Sequence, residues 1–142
     1  MKYLLDTNVI SELVTRNPER RVLEWLDSQE PNSIYLSVIT LGELQKGIAR
    51  LADSERKRQL ELWLFDDLLY RFQSRILLLD IQSSITWGEL VGRLSVEGRT
   101  LPAIDSLIAA IALQHRCTLV TRNTADFSMT DVPLLNPWEA IL

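Results

Sequence analysis

Cysteine and histidine are almost absent from this chain of 142 residues. It contains one histidine, His115, and one cysteine, Cys117. A single cysteine excludes an intrachain disulfide and a cysteine-based metal cage, and the apolar neighbours of Cys117 indicate a core position. An isolated histidine late in a predicted helix is normally structural or solvated, and it offers no zinc constellation. Any chemistry therefore has to come from other side chains.

A surplus of positive charge is also absent. The chain has 15 Lys and Arg residues against 19 Asp and Glu residues, which gives a net charge of −4 at pH 7. Whole-molecule attraction will not draw a polyanion to such a surface, so binding of a polyanion would have to be local. This charge balance argues against a simple nucleic-acid-binding module, and it leaves room for an acidic pocket that recruits a divalent cation.

Long apolar runs, repeats, low-complexity tracts and linkers are missing as well. No apolar run approaches the about 20 residues of a membrane span, and the first residues form a strand pattern rather than a basic segment followed by an apolar signal core. A length of 142 residues with 46% hydrophobic and 24% charged residues is typical of one globular domain. We therefore expect a single domain over residues 1–142 of a soluble, cytoplasmic protein.

A carboxylate directly follows the first predicted strand. Residues 3–5 are apolar on both faces and too few for a helix, which is typical of a strand buried between helix layers. Asp6 comes next, and Thr7 or Asn8 is predicted to cap the following helix. Because ligands bind outside the carboxyl ends of the strands in open α/β sheets, Asp6 is a candidate site residue. The alternative is an aspartate that only shapes a turn or caps a helix.

Short apolar segments alternate with helical patterns along the rest of the chain. Further strands are predicted at 34–39, 76–79, 117–121 and 132–135. Helices are predicted between them, with starts at Asn17-Pro18-Glu19, Thr40, Ser54, Asp80 and Pro102. This alternation predicts an α/β fold, a three-layer α/β/α sandwich with a parallel sheet.

Four acidic residues are expected at one rim of that sheet. They are Asp6 after the first strand, Glu43 in the first turn of the helix after the second strand, Asp105 in the first turn of a later helix, and Asp126 after the fourth strand. Clustered carboxylates repel one another, and a hard cation is needed to neutralise them. A site made only of oxygen ligands predicts Mg²⁺ or Mn²⁺.

Four blocks occur in order along the chain: 6–13 (DTNVISEL), 43–48 (ELQKGI), 105–110 (DSLIAA), and 121–123 (TRN) with 126–127 (DF). With Asn136-Pro137-Trp138 as an ending, they resemble the PIN-domain toxins of the VapC and FitB type over essentially the whole chain. The resemblance implies a Rossmann-like sheet in the order 3-2-1-4-5 and Mg²⁺-dependent endoribonuclease activity. It also implies the toxin of a type II toxin–antitoxin pair. Such toxins are usually homodimers held inactive by a small antitoxin, and they reach promoter DNA only through that antitoxin.

By the same resemblance, Asp6 and Asp105 bind the metal most directly, and Glu43 and Asp126 complete the acidic site directly or through water.

Cleavage through a 2′,3′-cyclic phosphate normally needs an acid–base pair such as two histidines, which this chain lacks. Water activated by a metal does not need that pair. We therefore expect hydrolysis that leaves 5′-phosphate and 3′-hydroxyl ends.

The residues around the acids are also assigned by the resemblance. Thr7, Asn8 and Thr121 are expected to support the acidic residues. Arg122 either contacts phosphate at the mouth of the site or forms a salt bridge that holds the Asp126 loop, because a guanidinium suits both groups. Other basic side chains are candidate RNA contacts or ordinary surface charge, namely Lys46, Arg50, Arg93 and Arg99.

Three other interpretations are open. A phosphotransfer enzyme of the haloacid dehalogenase type also begins with an aspartate after strand one, but it needs a second aspartate where Asn8 lies. A receiver-like signalling domain does not explain Glu43 and Asp126 as well. A catalytically inactive α/β module could bind an antitoxin-like partner without using its carboxylates. The sequence also leaves two roles for Trp63 and Phe65. They could form a homodimer contact, or they could pack in the core.

Overall fold

A five-stranded parallel sheet forms the centre of the molecule in a computed structural model that describes residues 1–139. The strands are β1 (Tyr3–Leu5), β2 (Ile34–Ser37), β3 (Ile76–Leu77), β4 (Thr118–Val120) and β5 (Leu134–Leu135). They lie in the order β3-β2-β1-β4-β5, and all four pairings are parallel. The predicted order 3-2-1-4-5 is confirmed.

Helices connect these strands. They are α1 (Thr7–Leu13), α2 (Arg20–Asp27), α3 (Val38–Ala49), α4 (Glu55–Leu62), α5 (Leu69–Phe72), α6 (Ile81–Val96), α7 (Ala103–Gln114) and α8 (Thr124–Phe127). A π-helical stretch, Trp63–Leu68, joins α4 to α5, and short 3₁₀ turns occupy Pro31–Ser33 and Ser128–Thr130. Among residues 1–139, no helix combines the length and apolar character that crossing a membrane requires.

Two apolar cores lie on the two faces of the sheet. Successive residues of a strand point to opposite faces, and the neighbours Leu4 and Leu5 are fully buried in different cores. Leu5 packs with side chains of α1, α2, α3 and the helical run from α4 to α5. Leu4 packs with side chains of α6 and α7, and Cys117 is buried in this second core. The three-layer α/β/α architecture is therefore confirmed.

The starts of two helices differ from those predicted. Asp6, and neither Thr7 nor Asn8, is the N-cap of α1, because its Oδ1 accepts the N–H of Thr7 at 2.8 Å. Helix α2 begins after Glu19 rather than at Asn17. At α1 the carboxylate is both the capping group and the predicted site residue, so these two interpretations of Asp6 do not compete.

The second strand is shorter than the predicted 34–39. Ser37 caps α3 by accepting the N–H of Thr40 at 3.2 Å, so Thr40 is not the cap and the helix begins at Val38. β-branched residues favour strands, but a capping hydroxyl just before them can start a helix. Glu43 consequently lies in the second turn of α3 rather than the first.

The remaining helix starts agree with the sequence. Ser54 and Asp80 cap α4 and α6 through their side chains, and Pro102 occupies the N-cap position of α7. Asp105 lies in the first turn of α7, as predicted. Strands β3, β4 and β5 are shorter than predicted, because their pairing with neighbouring strands covers only two or three residues each.

Candidate active site

A cleft of about 410 Å³ opens where β1 and β4 end and where α3 and α7 approach them. Of the residues assigned from the sequence, six line it: Asp6, Thr7, Asn8, Glu43, Asp105 and Arg122. Parallel strands bring their carboxyl ends to one edge of the sheet, which explains why segments distant in sequence meet here. The cleft also includes Asn123 and Trp138, to which sequence reasoning gave no role in the site.

Asp6 is buried and held at both carboxylate oxygens. Its Oδ1 accepts the N–H of Thr7, and its Oδ2 accepts the hydroxyl of Thr121, each at 2.8 Å. Burial raises the pKa of the Asp6 carboxyl above its ordinary value, and the charge of Glu43 adds to this, while the two hydrogen bonds act in the opposite direction. The Asp6 carboxylate is therefore fixed in direction and sensitive to nearby charge.

The Thr121 hydroxyl connects the ends of β1 and β4. It donates to Asp6 and accepts two hydrogen bonds, from Nδ2 of Asn8 at 3.2 Å and from the N–H of Asn123 at 3.1 Å. The Oδ1 of Asn8 accepts the N–H of Arg122 at 3.4 Å. Thr121 and Asn8 thus lie beside Asp6 and tie α1 to the segment after β4.

Glu43 is held by a hydroxyl as well. The Oγ1 of Thr7 donates to Oε1 of Glu43 at 2.5 Å and lies 3.2 Å from the hydroxyl of Thr40. Since Thr7 follows Asp6 directly, one stretch of α1 orients both carboxylates. These contacts suit the supporting role assigned to Thr7.

Asp105 is the carboxyl group most strongly affected by its neighbours. Burial, followed by the charges of Asp6, Glu43 and Asp126, raises its pKa from 3.8 to about 6. No hydrogen bond or cation among the described residues offsets this shift. The negative charges of the other three acids therefore all act on Asp105 and disfavour its ionised form.

The position of Asp126 differs from that of the other three acids. It lies exposed on α8 and does not line the cleft, although its charge reaches Asp105. Within residues 1–139, no three acidic, histidine or cysteine side chains lie close enough together to hold a metal ion. The structure therefore does not form a closed site from the four carboxylates.

The chemistry of the cleft nevertheless fits Mg²⁺. Mg²⁺ is usually bound through one or two carboxylates and keeps several waters, so it needs no cluster of three protein ligands. Asp6 and Asp105 are acidic oxygen donors in a cleft of mutually repelling carboxylates, and a carboxylate with two hydrogen bonds still has free lone pairs. The assignment of Asp6 and Asp105 as metal ligands stays a prediction.

Arg122 makes no salt bridge with Asp126 or with any other acid in residues 1–139. Its Cζ lies 5.2 Å from the centre of the Trp138 ring instead. The salt-bridge interpretation is wrong because the aromatic ring of Trp138 takes the place of Asp126 as the partner of the guanidinium. The only sequence signal for this contact was the Asn-Pro-Trp ending, which spacing alone does not connect to Arg122.

The Thr121→Val variant tests the support of Asp6. Valine keeps the shape but leaves the buried Oδ2 of Asp6 without its donor, which typically costs about 1–3 kcal/mol. We expect this loss in the free energy of unfolding, measured by urea denaturation, and a further rise in the pKa of Asp6. Thr121→Ser keeps the hydroxyl and should be closer to the wild type. Equal stability of the valine variant and the wild type would contradict the role of this hydrogen bond.

The chain is similar to known proteins along nearly its whole length. The model of the PIN domain matches residues 3–132. The chain belongs to the PIN-domain family. This membership argues against the phosphotransfer and signalling alternatives, and it agrees with the four sequence blocks.

PIN-domain relatives match the chain over nearly its whole length. Toxin FitB of Neisseria gonorrhoeae is 40% identical over 135 residues, covering 95% of this chain and 97% of that protein. Plasmid stability protein StbB of Pseudomonas syringae pv. tomato is 40% identical over 137 residues, covering 96% and 99%. A VapC ribonuclease of Sinorhizobium fredii is 35% identical over 136 residues, covering 96% and 97%.

Solved PIN-domain structures share the same fold. The structure of FitAB bound to a DNA fragment has a TM-score of 0.93 at 37% identity, covering 99% of this chain and 98% of that chain. VapBC2 from Rickettsia felis, bound to a DNA fragment from its promoter, has a TM-score of 0.81 at 29% identity, covering 96% and 98%.

Proposed function

We propose that this PIN-domain protein is the toxin of a toxin–antitoxin pair and a Mg²⁺-dependent endoribonuclease that cuts RNA in the cleft of Asp6, Glu43 and Asp105. The observation that carries the proposal is the meeting of these three carboxylates in one cleft of a chain that is 40% identical to a FitB toxin. Three further relatives at 30–35% identity bear the name VapC ribonuclease or ribonuclease VapC.

The acidic residues of the cleft would bind the metal and balance its positive charge. Asp6 and Asp105 would be its ligands, with Glu43, and Asp126 through water, completing the acidic environment. A bound Mg²⁺ would supply acidity to water, orientation to the phosphate and positive charge against the developing negative charge. Thr7 and Thr121 keep Asp6 in one direction through the two contacts at 2.8 Å.

The proposed reaction is hydrolysis of a phosphodiester. A water oxygen forms a bond to phosphorus, the bond from phosphorus to the 3′ oxygen breaks, and that oxygen takes up a proton. The products are a 5′-phosphate and a 3′-hydroxyl. With only one histidine in the chain, cleavage by a histidine acid–base pair is not open to this protein.

A positively charged side chain at the cleft, Arg122, would attract RNA to this acidic region. The net charge is −4, so binding has to rely on nearby positive groups. Arg122 lines the cleft and forms no salt bridge in the described part of the chain. Its donors suit phosphate oxygens. By contrast, Arg93 is paired with Glu97 and Asp131 and is a weaker candidate for RNA contact.

Partners of the relatives support the toxin role. FitAB and VapBC2 are complexes bound to DNA, and we infer that this chain likewise binds a small antitoxin and reaches DNA only through it. We also propose that the protein is a cytoplasmic homodimer.

Phe65 is 56% exposed whereas Trp63 packs against the core, so Phe65 is the better candidate for a dimer contact.

The activity is tested with the protein purified free of antitoxin. We expect it to cleave structured RNA with Mg²⁺ or Mn²⁺, to stop in EDTA, and to give fragments that ligate through a 5′-phosphate. Undiminished cleavage in EDTA or fragments with cyclic phosphates would contradict the mechanism. An inactive module would bind the antitoxin without cutting RNA under any of these conditions.

A further inference from the structure

The position of Arg122 is unexpected for a guanidinium among acids. The cleft contains Asp6, Glu43 and Asp105, and an arginine normally pairs with a carboxylate where one is within reach. The Arg122 Cζ lies over the Trp138 ring at 5.2 Å instead. A cation–π contact occupies one face of the guanidinium and leaves its N–H donors at the edge free for another acceptor.

The turn that carries Trp138 is built onto the backbone of Arg122. Nδ2 of Asn136 donates to the Arg122 carbonyl at 3.3 Å, and Oδ1 of Asn136 accepts the N–H of Trp138 at 2.9 Å. From the other side, Nη1 of Arg21 donates to the Trp138 carbonyl at 3.1 Å, and the Trp138 side chain packs against the core. One asparagine therefore fixes both members of the cation–π pair relative to each other.

We propose that Trp138 is a positioning residue that holds the Arg122 guanidinium at the mouth of the cleft, where it binds a phosphate of the RNA. This inference rests on the proposed function, since it names the group that receives the substrate's charge. The ring keeps Arg122 from collapsing onto the neighbouring carboxylates, and its flat face orients a planar guanidinium better than an aliphatic side chain would. A guanidinium held in this way makes charge-assisted, bidentate hydrogen bonds to phosphate.

The test compares Trp138→Leu, Trp138→Phe and Arg122→Ala. Two quantities are measured: the affinity for a fluorescent single-stranded RNA in EDTA, and kcat and KM for cleavage in Mg²⁺. We expect Arg122→Ala and Trp138→Leu each to weaken RNA binding and raise KM by roughly tenfold, with a smaller change in kcat. Trp138→Phe keeps an aromatic face and should restore both values to near the wild type.

A double variant separates positioning from packing. If Trp138 acts through Arg122, then Trp138→Leu should have no further effect on RNA affinity once Arg122 is alanine. The salt dependence should agree: loss of one phosphate contact lowers the slope of log affinity against log salt by about 0.7 for a single strand. If Trp138→Leu fails to fold, Asn136→Ala is the second variant. It removes both hydrogen bonds of the turn and should also raise KM.

Arg71 provides a matched control outside the cleft. Its Cζ lies 5.7 Å from the centre of the Phe72 ring, so Arg71→Ala removes a guanidinium that also lies on an aromatic ring. We expect this variant to bind and cut RNA as the wild type does. An equal loss of affinity in Arg71→Ala would overturn the proposal, because the effect would then be one of net charge.

Two other results would overturn the inference. The first is an unchanged RNA affinity in folded Trp138→Leu. The second is an additive loss in the double variant, which would make Trp138 a packing residue independent of Arg122. A wild-type protein that binds RNA with the expected dependence on Arg122 and Trp138 but never cuts it would leave the inference standing and contradict only the proposed activity.

Discussion

The Asp105→Asn variant is expected to melt no lower than the wild type in EDTA at pH 7 and to lose most of the stabilisation by Mg²⁺. Asparagine keeps the size of the side chain and removes one of the charges that meet around the cleft. The pKa of Asp105 is about 6 because of burial and the charges of Asp6, Glu43 and Asp126. At pH 7 the ionised Asp105 therefore opposes folding, and its replacement removes that cost.

The sign of the pH dependence follows from the direction of this shift. A folded-state pKa raised above the unfolded value means that the folded protein binds more protons, so the free energy of unfolding decreases as pH rises. For Asp105 the decrease should extend from the ordinary value of 3.8 to about 6. The wild type without metal should show this loss of stability over that window, and Asp105→Asn should show less of it.

Mg²⁺ should reverse the loss by binding only the folded protein. At one hundred times its dissociation constant, a ligand stabilises the native state by about 2.7 kcal/mol, which is a rise of roughly 10 °C in melting temperature for a chain of this size. Melting curves of both proteins with Mg²⁺ and with EDTA measure the effect. An Asp105→Asn protein that melts well below the wild type in EDTA would make Asp105 a structural residue, and its assignment as a metal ligand would be withdrawn.

The Asp6→Asn variant is expected to lose almost all RNA cleavage. The amide oxygen can still accept the N–H of Thr7, which supports the start of α1, but the charge is lost. Replacing a residue that hydrogen-bonds to a metal ligand typically lowers metal affinity or activity by 10–100-fold. Loss of a direct ligand should therefore lower the rate of RNA cleavage by more than about 100-fold. Expression of the wild type alone should arrest growth, and Asp6→Asn should relieve that arrest while remaining soluble and folded.

Glu12→Gln is the matched control for Asp6→Asn. Glu12 lines the same cleft, but its Oε2 accepts the N–H of Glu19 and it has no part in the proposed chemistry. Neutralising it changes the charge of the cleft by the same amount as Asp6→Asn. Growth arrest and cleavage should persist in Glu12→Gln, which separates the loss of a ligand from a general change in charge.

Much of the fold could be predicted because its signals are local. The apolar stretch 3–5 and the alternation of strands with helices follow from burial on both faces of a parallel sheet, whereas the strand order came from the family resemblance. The boundaries at 37–40 could not be predicted. Val38 and Ile39 have strand propensity, and only the backbone shows that the Ser37 hydroxyl has already started α3.

The sequence could place residues in the cleft where backbone position decides, but it could not reveal contacts that depend on side-chain direction. Asp6 and Asp105 reach the cleft because the end of β1 and the start of α7 place them there. Asp126 has the predicted position along the chain, but it is exposed on α8 and does not line the cleft. The contact of Arg122 with Trp138 joins two segments separated by β5, and no spacing rule reveals such a pair.

The dependence of catalysis on Asp6 is tested by the rate of RNA cleavage by wild type, Asp6→Asn and Glu12→Gln at saturating Mg²⁺, with circular dichroism confirming that all three are folded. We predict rapid cleavage by the wild type and by Glu12→Gln, and more than about 100-fold slower cleavage by Asp6→Asn. Cleavage by folded Asp6→Asn at the wild-type rate would contradict the proposed mechanism, because the reaction could not then depend on the Asp6 carboxylate.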